Sequence, residues 1–223
     1  MQQPAATGPR QNIPNALTIL RLALAATVVA LLADADPVGV AVGPRTDLLT
    51  AATLFAIAAA TDALDGFLAR RWNAVTILGR VMDPLADKLL VLGTLVMLAG
   101  PAFAAGPAGA PAAGFTGWMV VVILGRELLV TSIRGAFEAR GVDFSASLSG
   151  KLKMIMQSLV IPACLLAVAI WPIEQPRGIA WAIAAAAWAT TLVTAWSAVP
   201  YLMRAVRASS EAGAGDVDAE APG

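Results

Sequence analysis

Six long apolar segments constrain the fold of this 223-residue chain more than any other feature. Each segment is long enough to span, or nearly span, the roughly 30 Å hydrocarbon core of a bilayer. Proline, glycine or charged residues separate each segment from the next. In a bilayer these segments must be helical, because every backbone N–H and C=O group there needs a partner within the chain. The six segments are Leu17–Ala33, Leu48–Ala69, Val81–Ala99, Thr116–Ala136, Leu152–Ile170 and Ile179–Leu202.

The composition also indicates a membrane protein. Charged residues make up 13% of the chain and hydrophobic residues 58%, whereas soluble domains carry roughly 25% charged residues. This excludes an ordinary soluble globule, a disordered chain and a coiled coil. The formal net charge is +0, so nothing in the charge indicates a nucleic-acid partner. The sequence therefore predicts an all-α integral membrane protein with six transmembrane helices, embedded in the lipid bilayer.

The ends of the chain and its basic residues predict the topology. We expect a flexible tail over residues 1–11, a membrane domain over 12–207 and a disordered acidic tail over 208–223. With the N-terminus inside, thirteen of the fifteen lysine and arginine residues fall on the inner side, and only Arg45 and Arg177 fall outside. The positive-inside rule therefore predicts that both termini are cytoplasmic. The connection between the second and third helices is then cytoplasmic too. We expect the protein to lie in the inner (cytoplasmic) membrane of the cell.

Four aspartates flank that connection. Asp62 and Asp65 are three residues apart and project from one face of the second helix, and Asp83 and Asp87 are four apart on the third. If the two helices form an antiparallel hairpin, the two pairs converge at the inner membrane edge. Carboxylates crowded near hydrocarbon need protonation or a cation. An all-oxygen ligand set suits Mg²⁺, Mn²⁺ or Ca²⁺, and two ions bridged by shared carboxylates form a site for phosphoryl transfer.

The residues around these aspartates fit a phosphate ligand. Gly66 and Gly79 allow a ligand to approach the backbone closely, and Arg70 is placed to meet phosphate charge. The chain has no histidine and one cysteine, so its chemistry must use carboxylates, lysine, arginine and hydroxyl groups. Two other interpretations stay open at this point. The aspartates could form plain ion pairs with neighbouring basic residues, or they could line an ion or proton pathway.

The spacing over residues 62–87 reads Asp-x2-Asp-Gly-x2-Ala-Arg-x8-Gly-x3-Asp-x3-Asp. It resembles, position for position, the signature of the CDP-alcohol phosphatidyltransferases. The resemblance implies a six-helix membrane enzyme in which an alcohol attacks the phosphate next to diacylglycerol in a CDP-linked lipid and CMP leaves. It implies that Asp87 accepts the proton of the attacking hydroxyl. It also implies that two Mg²⁺ (or Mn²⁺) ions are held by Asp62, Asp65, Asp83 and Asp87.

The same resemblance assigns a binding surface for CDP-diacylglycerol. Gly66, Arg70 and Gly79 would contact the CDP part, and Thr76 lies where the family often has a hydroxyl residue near the nucleotide. Residues 12–21, NIPNALTILR, are similar to the opening of one branch of the family, the bacterial phosphatidylglycerophosphate synthases. That branch implies that Asn15 and Thr18 lie near the nucleotide. A helix cap at Asn15 or Thr18 explains the same residues equally well.

A basic cluster predicts the acceptor. Residues 126–134, RELLVTSIR, and 150–157, GKLKMIMQ, are also similar to that branch. The residues assigned to an acceptor phosphate are Arg126, Arg134, Lys151 and Lys153. They suit a small phosphorylated alcohol, and the resemblance favours sn-glycerol 3-phosphate. Inositol phosphate stays an alternative acceptor because it also carries a phosphate, and another polar alcohol stays open too. Arg134 is followed by GAFEARG and not by the acidic-aromatic stretch of that branch, which leaves the acceptor open. Positive-inside topology with snorkelling side chains would also explain the cluster. A homodimer is a further expectation from the family.

Overall fold

The computed structural model of the protein describes residues 9–35, 45–72, 77–104, 106, 110–139, 148–171 and 175–208, without the side chains of residues 9–15, 63–81 and 83. In these ranges the regular structure is helical throughout and no strand occurs. The predicted all-α fold is therefore confirmed for the described part of the chain. The helices are α1 (Pro9–Ala33), α2 (Thr46–Trp72), α3 (Ile77–Leu98), α4 (Pro101–Ala104), α5 (Gly117–Glu138), α6 (Leu148–Ile170) and α7 (Arg177–Trp196).

Each predicted apolar segment overlaps one long helix, and a turn at residues 197–198 leads from α7 into further helical residues, 199–208. By length and composition, three described segments are long and apolar enough to cross a membrane. They are Ala16–Ala33, Leu148–Ile170 and Arg177–Ala208. The chain is thus an all-α protein with several helices suited to a bilayer.

The packing order differs from the α2–α3 hairpin that the sequence suggests. Among the described residues, α1 lies against both α2 and α3, while α2 and α3 contact each other far less. Small side chains make this possible, because Ala25 of α1 and Ala51 and Ala58 of α2 are fully buried. A Cβ atom at Gly93 of α3 would lie only 2.7 Å from Cγ2 of Val29. Close approach through small residues is the usual way in which membrane helices associate.

The remaining helices complete the bundle around this centre. Helix α2 also packs on α6, α6 packs on α7, and α7 packs on α5. Helices α1, α2, α3 and α6 line a common space, and α5 packs on both α7 and α3. The polar side chains described next lie in that space and along the α5–α6–α7 contact.

Candidate active site

A small cavity between α1, α2, α3 and α6 brings together two of the four predicted aspartates. Asp62 reaches it from α2 and Asp87 from α3. The other lining residues are Arg21, Phe55, Ala59, Leu90, Val91, Met154, Gln157 and Ser158. The lining is therefore mixed, with apolar side chains beside two carboxylates and a guanidinium.

The guanidinium belongs to Arg21, which sequence reasoning did not assign to the site. Its Nη1 lies 2.5 Å from Oδ1 of Asp62, and the Arg21 side chain is only 1% exposed, against 32% for Asp62. A buried charge is costly unless it is paired and hydrogen-bonded, so this ion pair accounts for an arginine inside the bundle. Among the described residues, the ionisable groups whose charges act on Asp87 include Lys153, Asp62, Glu127 and Arg21.

The rest of the signature lies on the same helices or outside the described residues. Thr76 falls in the undescribed range 73–76. The backbones of Asn15 (on α1), of Asp65, Gly66 and Arg70 (on α2), and of Gly79 and Asp83 (on α3) are helical, and their side chains are not described. Thr18 is buried at 4% exposure, one turn before Arg21. Helical spacing puts Asp65 on the face of Asp62 and Asp83 on the face of Asp87.

A second polar cluster joins α5, α6 and the end of α7. Glu127 accepts a hydrogen bond from Nζ of Lys153 at 2.6 Å and another from Nη1 of Arg126 at 3.2 Å. Arg126 also donates through Nη2 to the backbone carbonyl of Ser197 at 3.5 Å. All three charged side chains belong to residues that are no more than 9% exposed. The cluster therefore contains two buried cations for one buried anion.

The other predicted basic residues differ in position. Arg134 donates to the hydroxyl of Tyr201 at 3.3 Å. The guanidinium carbons of Arg126 and Arg134 each lie 5.8 Å from the centre of the Tyr201 ring, which is within cation–π range. Lys151 is exposed. It lies two positions before Lys153, so the two side chains leave α6 on different faces.

Three residues near the site were not among the predicted site residues, although the sequence marks Glu127 as a charge within a membrane segment that needs a function or a partner. Arg21 and Glu127 are ionisable residues within apolar helices, a pattern that marks functional positions. Gln157 lines the cavity, is 2% exposed, and donates through Nε2 to Oγ1 of Thr194 at 3.3 Å. A buried amide at a helix contact is a weaker signal, because it also occurs as plain interhelical packing.

The arrangement places an anionic site beside a cationic one. The carboxylates of Asp62 and Asp87 can bind a hard cation, and the cations around Glu127 can bind a phosphate. Two such sites side by side suit phosphoryl transfer, where catalysis consists mainly of positioning and charge stabilisation.

Comparison with known proteins agrees with this chemistry. A family model described as CDP-alcohol phosphatidyltransferase matches residues 11–196. The chain belongs to the CDP-alcohol phosphatidyltransferase family. This membership supports the interpretation of the aspartates as an enzyme site and leaves the ion-pathway interpretation without support. It also makes the protein a multi-pass membrane enzyme, whose family implies CDP-diacylglycerol and an alcohol acceptor as substrates.

Several relatives carry more specific names. The chain is 38% identical over 159 residues to a CDP-diacylglycerol–glycerol-3-phosphate 3-phosphatidyltransferase of Bacillus subtilis (strain 168), covering 70% of this chain and 77% of the relative. It is 32% identical over 161 residues to the Escherichia coli (strain K12) protein of the same name, covering 70% and 78%. It is 35% identical over 196 residues to a Mycobacterium tuberculosis (strain ATCC 25618 / H37Rv) protein named probable phosphatidylglycerophosphate synthase, covering 88% and 82%.

Removal of the Glu127 carboxylate should destabilise the protein. Glu127→Ala leaves Lys153 and Arg126 buried without their carboxylate, and breaking a buried ion pair costs about 3–5 kcal/mol. We expect the free energy of unfolding to fall by about that amount, measured by thermal or denaturant unfolding in detergent. The double variant Glu127→Leu/Lys153→Met removes both charges of the shortest contact and should recover part of the loss.

Glu138→Ala is the matched control, because Glu138 is exposed on the same helix and its removal should change stability by less than about 0.5 kcal/mol. Equal effects of Glu127→Ala and Glu138→Ala would contradict the prediction.

Proposed function

We propose that the protein transfers the phosphatidyl group of CDP-diacylglycerol to sn-glycerol 3-phosphate, which gives phosphatidylglycerophosphate and CMP in phospholipid biosynthesis. The main support for the proposal is that Asp62 and Asp87 line the same cavity. These two residues are the first and last aspartates of the family signature. The names of the relatives support the choice of glycerol phosphate as the acceptor.

The donor set supports a divalent metal centre. Two carboxylates from different helices face one cavity, and helical spacing adds Asp65 and Asp83 to the same faces. Carboxylate oxygens with room for substrate phosphates are the ligands that Mg²⁺ uses in proteins. The proposed ligands of two Mg²⁺ or Mn²⁺ ions are Asp62, Asp65, Asp83 and Asp87. When bound, such ions would neutralise the diphosphate of the nucleotide lipid and make its phosphorus easier to attack.

In this proposal Asp87 is the general base. It accepts the proton of the acceptor hydroxyl as the oxygen of that hydroxyl forms a bond to the phosphorus next to diacylglycerol. The bond between this phosphorus and the CMP oxygen breaks, and CMP leaves with the bonding electrons. A carboxylate suits this role because the chain contains no histidine. Gly66, Arg70 and Gly79 would hold the CDP part, with Asn15, Thr18 and Thr76 near the nucleotide.

The buried cations favour a phosphorylated acceptor. Arg126 and Lys153 share one carboxylate, Glu127, so the cluster keeps an excess of positive charge inside the bundle. The charge of Lys153 also acts on Asp87. An acceptor phosphate near Lys153 would balance the excess charge and bring its hydroxyl toward Asp87. Arg134 would support this subsite through Tyr201, and Lys151, being exposed, would act at its rim. Inositol phosphate would meet the same cations.

We further propose six transmembrane spans with both termini and the cavity on the cytoplasmic side of the inner membrane. The support is the distribution of basic residues, with only Arg45 and Arg177 on the outer side. In this topology the acyl chains of CDP-diacylglycerol stay in the inner leaflet while its headgroup reaches the aspartates. Homodimer formation stays a prediction from the family.

The reaction is tested by the release of CMP from the purified protein in detergent with CDP-diacylglycerol and Mg²⁺. We expect release with sn-glycerol 3-phosphate and none with inositol or serine. Asp87→Asn should lower the rate by about 10²–10⁴-fold, the usual contribution of a general base, and chelation of the metal should abolish it. Asp47→Asn is the matched control, because Asp47 lies in the first turn of α2, far from the cavity.

The alternatives give different results in the same assay. Release with inositol phosphate alone would keep the mechanism and replace the acceptor. No release with any acceptor, from a folded protein with Mg²⁺ or Mn²⁺, would contradict the proposed function.

The topology is tested with single cysteines. The only native cysteine, Cys164, is buried, so Cys164→Ala gives a suitable background. A membrane-impermeant maleimide should label Arg177→Cys, an exposed position at the start of α7, from the outside of intact cells. Glu138→Cys, at the end of α5, should be labelled only in inside-out vesicles. The reverse pattern would show that the orientation is wrong.

A further inference from the structure

Among the described side chains of α1, Arg21 is the charged one that lines the cavity, and α1 carries none of the four signature aspartates. The helix nevertheless packs against both α2 and α3, the two helices that do carry them. Arg21 therefore lies on the element that joins the two halves of the carboxylate site.

The ion pair between Arg21 and Asp62 includes a short contact to Oδ1 of the carboxylate. Nη1 of Arg21 lies 2.5 Å from Oδ1 of Asp62. A carboxylate has two oxygens and about four lone-pair positions, so it can keep an arginine on one oxygen and offer the other to a metal ion. Hydrogen-bonded partners of this kind fix the orientation of metal-ligating carboxylates.

Because Arg21 is buried, it is suited to holding the Asp62 carboxylate in one orientation. Its side chain is 1% exposed, whereas that of Asp62 is 32% exposed. The arginine is thus held within the bundle, and the carboxylate extends from it toward the open part of the cavity. A planar guanidinium also restricts the direction of its partner more than an ammonium group does.

We propose that Arg21 is a positioning residue that orients the Asp62 carboxylate for binding a divalent metal ion. The inference rests on the proposed function, in which Asp62 is a metal ligand. Arg21 thereby sets the metal affinity of the site through Asp62 and does not bind the metal itself.

The charge of Arg21 and its positioning role predict opposite effects, which makes the proposal testable. If Arg21 acted only through its positive charge, its removal would reduce repulsion and tighten metal binding. If it positions Asp62, its removal weakens binding, because loss of such a partner typically lowers metal affinity by about 10–100-fold.

The experiment measures Mn²⁺ binding to the full-length protein in detergent without lipid substrate, from the electron paramagnetic resonance signal of free Mn²⁺. We expect the dissociation constant to rise by about tenfold or more in Arg21→Gln and by less in Arg21→Lys, which keeps a donor and the charge. Arg45→Gln is the matched control, because Arg45 is an arginine that is partly buried and lies about 25 Å along the helix direction of α2 from Asp62.

A double-variant cycle tests whether Arg21 acts through Asp62. In an Asp62→Asn background, Arg21→Gln should cause no further loss of Mn²⁺ affinity. If Arg21→Gln alone does not give a folded, monodisperse protein, Arg21→Lys and the double variant decide the question in its place.

Several results would overturn the inference. The first is tighter Mn²⁺ binding by Arg21→Gln, or a rise of less than about threefold in its dissociation constant, which is below the usual range for lost carboxylate partners. The second is an equally large loss of Mn²⁺ affinity when Arg21→Gln is made in the Asp62→Asn background. Unchanged Mn²⁺ binding with a raised KM for CDP-diacylglycerol would assign Arg21 to the substrate instead. Failure of the proposed function is distinguishable, because the wild-type protein would then release no CMP with any acceptor.

Discussion

The ion pair between Arg21 of α1 and Asp62 of α2 shows the constraint on which the rest of the structure depends. A chain built mainly from apolar helices can keep ionisable groups inside only where each charge has a partner. Arg21 is almost fully buried and meets its carboxylate at 2.5 Å. Glu127 satisfies the same constraint beside this site, where it accepts hydrogen bonds from Lys153 and Arg126. These pairs fix the helices that carry them and place opposite charges next to one cavity.

This constraint also explains how a lipid-modifying enzyme can work at a membrane edge. The proposed reaction uses carboxylates to hold a cation and cations to hold phosphates, and burying either kind of charge away from water costs free energy. Asp62 and Asp87 come from different helices, and α1 lies against both of those helices. Among the described residues, the cations Arg126 of α5 and Lys153 of α6 share one hydrogen-bonded carboxylate, that of Glu127. In the proposed reaction, the phosphate group of the acceptor would balance the second positive charge.

Much of the fold and part of the site follow from the sequence. Apolar length predicts the six long helices, because backbone satisfaction in a bilayer leaves no other choice. The spacing of Asp62 and Asp87 within the signature predicts a shared site, since the family pattern encodes it directly. The position of α1 could not be predicted in this way, because it depends on small residues such as Ala25, Ala51 and Gly93 that permit close packing without specifying a partner. Arg21 and Glu127 were not predicted as site residues, because a contact between two helices does not show in the spacing of residues along either helix.

In the proposed mechanism, the ends of α2 and α3 form one carboxylate centre for divalent metal ions. A crystal structure of the protein with Mn²⁺, using anomalous scattering to locate the ions, tests this arrangement. We expect manganese peaks within about 2.0–2.4 Å of carboxylate oxygens of Asp62 and Asp87, the ordinary bond length of hard divalent ions, with Asp65 and Asp83 completing the ligand set. Manganese bound elsewhere, or aspartates of α2 and α3 that remain apart when the metal is present, would contradict it.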